Sequence, residues 1–162
     1  MDTSMRIAIN PVWGEIEAVR NRVHQFLEQL ELSKNIISSM VMVLSELAEN
    51  SIKYGSFKVP ESQVEIHLEV GANMITAEVS NAVDDSCLAN LKKLDRMIQW
   101  VRGYQDPFEA YVERLKEVSK KPLQDEESGL GIVRIAYEGK VVLDFFVSEN
   151  DLLTVSAVRN LT

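Results

Sequence analysis

Hydrophobic residues recur along the chain with two different spacings, one typical of helices and one typical of strands. Helical spacing runs through Trp13–Leu30, and again from Ser33, a predicted N-cap, to Gly55, a predicted C-cap. Alternation of apolar and polar residues predicts strands at Met5–Asn10 and Gln63–Val70, and strand composition between turns predicts further ones at Met74–Ser80, Val141–Val147 and Leu152–Val158. Because these strands come in hairpins and not in βαβ units, we expect an α/β (α+β) two-layer sandwich with a mixed, mainly antiparallel sheet and helices on one face.

A helical segment is inserted between the two predicted hairpins. Ser86–Lys121 has apolar residues at helical spacing, and Gly103 and Pro107 divide it, so we expect a helical hairpin. Leu88–Lys121 contains eight Lys and Arg against five Asp and Glu, a charge of +3 in a chain whose net charge is −8. Such a hairpin could close on phosphates, dock an acidic partner, or cover the acidic body by charge complementarity.

Composition limits the classes of protein that the chain can represent. A length of 162 residues with 46% hydrophobic and 26% charged residues is typical of one folded domain, 1–162, with the insertion at about 86–121. The negative net charge argues against nucleic-acid binding. Cys87 is the only cysteine, which excludes a disulfide within the chain. With no signal peptide and no apolar run long enough to span a membrane, we expect a cytoplasmic protein without a membrane partner.

Candidate chemistry concentrates in Val41–Gly55, within the second predicted helix. Glu46, Asn50 and Lys53 are four and three residues apart, which places them along one stripe of the helix. A carboxylate there could orient or deprotonate a hydroxyl, and a carboxamide oxygen is a suitable ligand for Mg²⁺. The polar edge of an ordinary amphipathic helix would have the same spacing, so the pattern alone leaves both interpretations open.

Glycines precede another predicted helix downstream. Ser128–Tyr137 contains Gly129 and Gly131 ahead of an apolar helical pattern. Glycines at a helix start let backbone N–H groups approach a phosphate, and the helix dipole favours its negative charge. An ordinary turn with Ser128 or Gly129 as N-cap would have the same sequence pattern.

These two stretches together resemble motifs of a known superfamily. ELAENSIKYG is similar to the N-box, and SGLGIVRIAY to the second glycine motif, of the GHKL (histidine kinase-like) ATPases and kinases. The closest branch is that of the bacterial anti-sigma-factor serine kinases and their relatives. The resemblance covers roughly Met5–Gly55, Ile66–Asn81 and the chain from Ser128 onward.

The chain departs from the family at the DxGxG motif, whose aspartate accepts a hydrogen bond from the adenine amino group. The sequence here is NAVDD, so Asn81 stands at the strand position of the aspartate and both glycines are missing. An asparagine oxygen can accept one hydrogen bond but lacks the charge that strengthens it. A shift of register would instead bring Asp84 or Asp85 into this role.

The resemblance implies a regulatory ATP-binding protein, either a serine/threonine protein kinase or an anti-sigma-factor-like partner-switching regulator. Glu46 would be the general base, and Asn50 would hold the Mg²⁺ that bridges the phosphates. The inserted hairpin would occupy the position of the ATP lid. The residues assigned to ATP and Mg²⁺ are Asn50, Lys53, Asn81, Ser128, Gly129 and Gly131.

The resemblance also implies the kind of partner. It would be a small STAS-domain protein of the anti-anti-sigma type that carries the acceptor serine, with or without a sigma factor, and a homodimer is compatible with the family. An alternative stays open, since the altered DxGxG segment also fits a non-catalytic interaction module that has kept the fold and lost nucleotide binding.

Overall fold

The structure is a computed structural model that describes residues 3–59, 61–104, 106–119 and 130–161. The described residues form five strands and five α-helices, with short 3-10 helices ahead of the first and third helix. The strands are β1 (Ser4–Ile9), β2 (Val64–Val70), β3 (Met74–Ala82), β4 (Val142–Val147) and β5 (Leu152–Asn160). The helices are α1 (Ile16–Gln29), α2 (Lys34–Tyr54), α3 (Leu88–Arg102), α4 (Pro107–Ser119) and α5 (Leu130–Gly139).

The five strands make one sheet in the order β1-β2-β3-β5-β4. Ile66 pairs with Val79, which pairs with Val155, and all three are buried under the helices. Because side chains alternate along a strand, polar residues such as Arg6 and Glu78 occupy the opposite face. The two-layer sandwich is therefore confirmed. All the described strand pairs are antiparallel. The sheet is therefore wholly antiparallel over these residues, whereas the sequence predicted a mixed, mainly antiparallel one.

Helix α2 packs against α1, α5 and the sheet. Its N-terminus is capped as predicted, because the Ser33 hydroxyl accepts a hydrogen bond from the Ile36 backbone N–H at 3.3 Å. Val43 and Leu44 are fully buried. This burial on several sides leaves only a narrow stripe of α2 from which polar side chains can reach open space. None of the helices in the described part of the chain combines the length and hydropathy that a membrane crossing requires.

The predicted helical insertion is formed by α3 and α4. The ring centroids of Phe108 and Tyr111 on α4 lie 5.2 and 5.4 Å from that of Tyr137 on α5, so α4 packs largely on α5. Arg102, in the last turn of α3, lies 3.7 Å from the carboxylate of Asp144 on β4. These contacts place the insertion against α5 and β4, and residues of both inserted helices line a cavity together with the C-terminal end of α2.

Gly139 allows α5 to end in close contact with α2. A Cβ atom at Gly139 would lie 2.5 Å from Cγ2 of the buried Val43. The end of α5 has little room to move away, since the buried Arg159 donates from Nη1 to the Gly139 carbonyl oxygen at 3.1 Å. We therefore expect that only glycine fits this position.

Gly139→Ala should lower the free energy of unfolding by about 1–3 kcal/mol, the usual cost of overpacking a filled core. Urea denaturation of the variant and the wild type would measure the difference. Gly14→Ala is the matched control, because no atom lies within 4 Å of its added Cβ. Equal stability of Gly139→Ala and Gly14→Ala would contradict the proposed steric limit.

Candidate functional site

Three of the predicted site residues meet where α2 lies beside the start of α5. The Glu46 side chain is one-quarter exposed, and its Oε1 lies 3.6 Å from Nη1 of Arg134. A Cβ atom at Gly131 would lie 3.6 Å from Glu46 Oε2, so the glycine is directly beside this carboxylate. Asn50, one turn after Glu46, lines the same cavity as Gly131. The other two residues of the glycine motif, Ser128 and Gly129, lie outside the described residues.

The cavity next to these residues has a volume of about 710 Å³, within the size range of nucleotide and drug-sized ligand sites. Its walls come from α2, the end of β3, α3, α4, the start of α5, and β5. Much of the wall is apolar, including Leu47, Leu94, Met97, Trp100, Ile132 and Val155. Such a wall suits a flat aromatic ring system.

The charged residues that line the cavity are mostly cationic. Lys53 lies at the end of α2, with its Nζ 5.1 Å from the centroid of the Tyr54 ring. The other charged lining residues belong to the inserted helices: Lys93, Arg96, Arg114 and Glu117. Among the described residues the wall therefore carries four cations and one carboxylate, although the whole chain has a net charge of −8. This local excess favours an anionic ligand.

Asn81 lies in the cavity wall near the end of β3 and is only 2% exposed. Its Nδ2 donates a hydrogen bond to the backbone oxygen of Ala82 at 2.9 Å. The same oxygen accepts from the Ser56 backbone N–H at 2.8 Å. The carboxamide oxygen of Asn81 is then the group that can accept a donor from the cavity. Asn81 therefore lies in the cavity wall, and its role in adenine binding stays a prediction.

Gly55 is needed for space at this point and not for a special backbone conformation. It ends α2 as predicted, but its φ of −77° is one that any residue can adopt. A Cβ atom there would lie 2.5 Å from Asn81 Nδ2 and 2.7 Å from the Ser51 carbonyl oxygen. The missing side chain lets the end of α2 contact the Asn81 carboxamide, a contact that the sequence did not predict.

Asp84, the other candidate for the adenine-binding role, does not line the cavity that Asn81 lines. Its carboxylate accepts hydrogen bonds from the hydroxyl and backbone N–H of Ser86 and, at 2.7 Å, from the Ser56 hydroxyl. Lys58 Nζ lies 3.3 Å away. These bonds, chiefly those from Ser86 and Ser56, hold the pKa of Asp84 well below its usual range. Asp84 and Asp85 line a separate, smaller hollow.

Glu46 is a second carboxyl group with a perturbed pKa, and it lies beside the cavity. Burial raises its pKa above the usual glutamate value, and the neighbouring carboxylate of Glu49 adds to this effect. Arg134 and Arg20 act in the opposite direction. A partly buried carboxylate with a raised pKa is a better proton acceptor than an exposed one, which fits the role predicted for Glu46.

A metal ion at this site would need further oxygen ligands from the phosphates of a bound substrate. The described residues contain no group of three or more His, Cys, Asp or Glu that could hold an ion. Asn50 could supply a single oxygen ligand. This limited donor set suits Mg²⁺, which usually keeps several waters and binds phosphate oxygens beside one or two protein ligands.

Sequence reasoning missed Arg134 and the individual cations on the inserted helices. The excess of basic residues in Leu88–Lys121 indicated the cations as a group, without indicating which of them line the cavity. Arg134 precedes Glu138 by four residues, a spacing that predicts a pair within one helix. Its approach to Glu46 depends on how α5 packs on α2, and the local pattern contains no signal for that.

Asp84→Asn should lower the stability of the fold at pH 7, as judged by the urea midpoint. The folded-state pKa of Asp84 is depressed, so its stabilising contribution is present above the ordinary aspartate pKa of 3.8 and is lost as the pH falls below that value. The difference from wild type should therefore shrink between pH 4 and the acid limit of folding. Asp85→Asn is the control, and an equal effect of both variants at pH 7 would refute the assignment.

Comparison with known proteins concerns the fold alone. No protein-family model matches the chain, and no curated protein sequence matches it. The structure is similar to a chain in the crystal structure of the SiaB–SiaC complex from Pseudomonas aeruginosa, with a TM-score of 0.67. The two chains are 14% identical, and the alignment covers 97% of this chain and 89% of that chain. Nearly the whole chain therefore shares its fold with a protein of known structure.

Proposed function

We propose that this protein is a regulatory ATP-binding protein that phosphorylates a serine or threonine of a partner protein. One observation carries the proposal: Glu46, Asn50 and Gly131 lie together beside a cavity with an apolar interior and a cationic wall. A carboxylate, an oxygen ligand for Mg²⁺ and a helix N-terminus are the parts that phosphoryl transfer from ATP requires.

The lining residues divide into a base-binding part and a phosphate-binding part. The apolar wall would enclose the adenine ring, and the Asn81 carboxamide oxygen would accept a hydrogen bond from its amino group. Lys53 and the start of α5 at Gly131 would face the phosphates. Asn50 would supply an oxygen ligand to the Mg²⁺ that accompanies these phosphates. Bound Mg-ATP would supply the transferable phosphoryl group with its negative charge partly neutralised.

Glu46 would act on the partner protein. Its carboxylate would accept the proton of an acceptor hydroxyl, and its raised pKa would help it to retain that proton. The resemblance to anti-sigma-factor kinases suggests a STAS-type partner, alone or together with a sigma factor. The structurally similar chain also comes from a two-protein complex, which supports a role in partner binding.

A second function is favoured by one observation, the replacement of the DxGxG motif. Asn81 lacks the charge of aspartate, and its amide group is already bonded to the Ala82 backbone. Under this alternative the protein is a non-catalytic interaction module. Its inserted helices, which have an excess of basic residues, would bind an acidic surface of the partner.

Asn50→Ala and Glu46→Gln should separate nucleotide binding from chemistry. Calorimetric titration of wild type with ATP should reveal binding that depends on Mg²⁺, and Asn50→Ala should abolish it because the oxygen ligand is lost. Glu46→Gln should bind Mg-ATP normally. Its transfer of labelled phosphate to a STAS-domain protein of the same organism should fall roughly 10²- to 10⁴-fold, the usual contribution of a general base.

The controls for these variants lie away from the cavity. Asn73→Ala changes an exposed hairpin turn, and Glu69→Gln changes the open face of the sheet, so both should behave as wild type. No binding of wild type to millimolar ATP would refute the kinase proposal and favour the interaction module. Full transfer activity in Glu46→Gln would remove Glu46 from its proposed role.

A further inference from the structure

Arg134 lies on α5 between two carboxylates that belong to different helices. Its Nη1 is 3.6 Å from Oε1 of Glu46 on α2, and its Nε is 2.9 Å from Oε2 of Glu138 on α5. Because the guanidinium is planar and rigid, two contacts through different nitrogens restrict its orientation. The arginine is therefore shared between Glu138 and Glu46.

The two oxygens of Glu46 have different surroundings. Oε1 faces Arg134, whereas Oε2 lies beside the empty side-chain position of Gly131, at the start of α5. Gly131 also lines the large cavity. The oxygen that does not face the arginine thus lies beside a residue of the cavity wall, and we expect an acceptor hydroxyl to arrive there.

Charged groups face Glu46 from every helix packed around it. Glu49 lies on α2 itself, Arg20 on α1, and Arg134 and Glu138 on α5. Arg20 donates from Nη1 to the hydroxyl of the buried Ser45 at 3.3 Å. Of the two cations, Arg134 has the stronger effect on Glu46, where it opposes the effect of burial.

We propose that Arg134 is a positioning residue for Glu46, holding Oε1 so that the carboxylate stays ionised with Oε2 directed at the acceptor hydroxyl. This inference rests on the proposed kinase function. Glu138 is the second member of the device, because it shares Arg134 with Glu46 and also repels Glu46. Loss of the arginine and loss of Glu138 should therefore change the ionisation of Glu46 in opposite directions.

The first test is the pH dependence of phosphate transfer to the STAS-domain partner. A general base must be deprotonated, so the rate falls at acid pH as Glu46 gains a proton. Arg134→Gln should move this acid limb to higher pH, and Glu138→Gln should move it to lower pH. At neutral pH, Arg134→Gln should lose on the order of tenfold in rate, less than removal of the base itself, and Arg134→Lys should regain part of that loss.

Two controls separate positioning from a general structural effect. ATP binding should be the same in all of these variants, because Arg134 does not line the cavity. Arg22→Gln removes an exposed arginine of α1 and should leave the acid limb unchanged. Acid limbs that coincide in wild type and Arg134→Gln, or that move in the same direction in Arg134→Gln and Glu138→Gln, would overturn the inference while leaving the kinase function intact.

A second measurement does not depend on activity. Carbon-13 NMR of glutamate carboxyl groups in the protein without nucleotide, with the Glu46 signal assigned from Glu46→Gln, follows its titration directly. The midpoint should rise in Arg134→Gln and fall in Glu138→Gln, and an unchanged midpoint in both would overturn the inference. A wild type that binds ATP but phosphorylates no partner would overturn both the kinase function and the positioning role proposed for Arg134. The NMR midpoints would still report whether the Glu46–Arg134 contact exists.

Discussion

The packing of α5 along α2 is the constraint on which the core and the candidate site both depend. Gly139 permits it at one end of α5, because a Cβ atom there would lie 2.5 Å from Val43 Cγ2, and Gly131 lies beside the Glu46 carboxylate at the other end. Because α2 also packs on α1 and the sheet, few directions remain for its polar side chains. Glu46 and Asn50 lie on that remaining stripe. A rigid, buried helix therefore presents them, which is the arrangement that precise positioning requires.

The local pattern of the sequence predicts most of the fold because each element has its own periodicity and end signals. Ser33 and Gly55 bound α2 as expected, and the strands of both hairpins pair as predicted. The strand β3 continues to Ala82 because its end pairs with Leu152, a distant partner that a local pattern does not reveal. The same limit applies to the site. Periodicity predicts which face of an element is buried, but not which neighbour covers it.

Electrostatics divide the molecule into an acidic body and a cavity with a cationic wall. Arg114 illustrates how the inserted helices supply that wall, since its side chain is only 12% exposed and pairs with Glu117 at 2.8 Å. At the end of α3, Arg102 approaches Asp144 of the sheet. Covering the acidic body and lining the cavity were separate hypotheses for the basic segment. The contacts are compatible with both hypotheses, because Arg102 pairs with the sheet while other cations of the inserted helices line the cavity.

The segment from Asn81 to Ser86 forms a consistent local structure of its own. An aspartate at position 81 could not donate to the Ala82 backbone oxygen, whereas Asn81 does so through Nδ2 and keeps its oxygen for another partner. The turn that follows β3 is stabilised by Asp84, whose carboxylate accepts hydrogen bonds from Ser86 and Ser56. A neutral acceptor binds an adenine amino group more weakly than a charged one. In the proposed ATP site, more of the binding free energy would therefore come from the apolar wall and the cations around the phosphates.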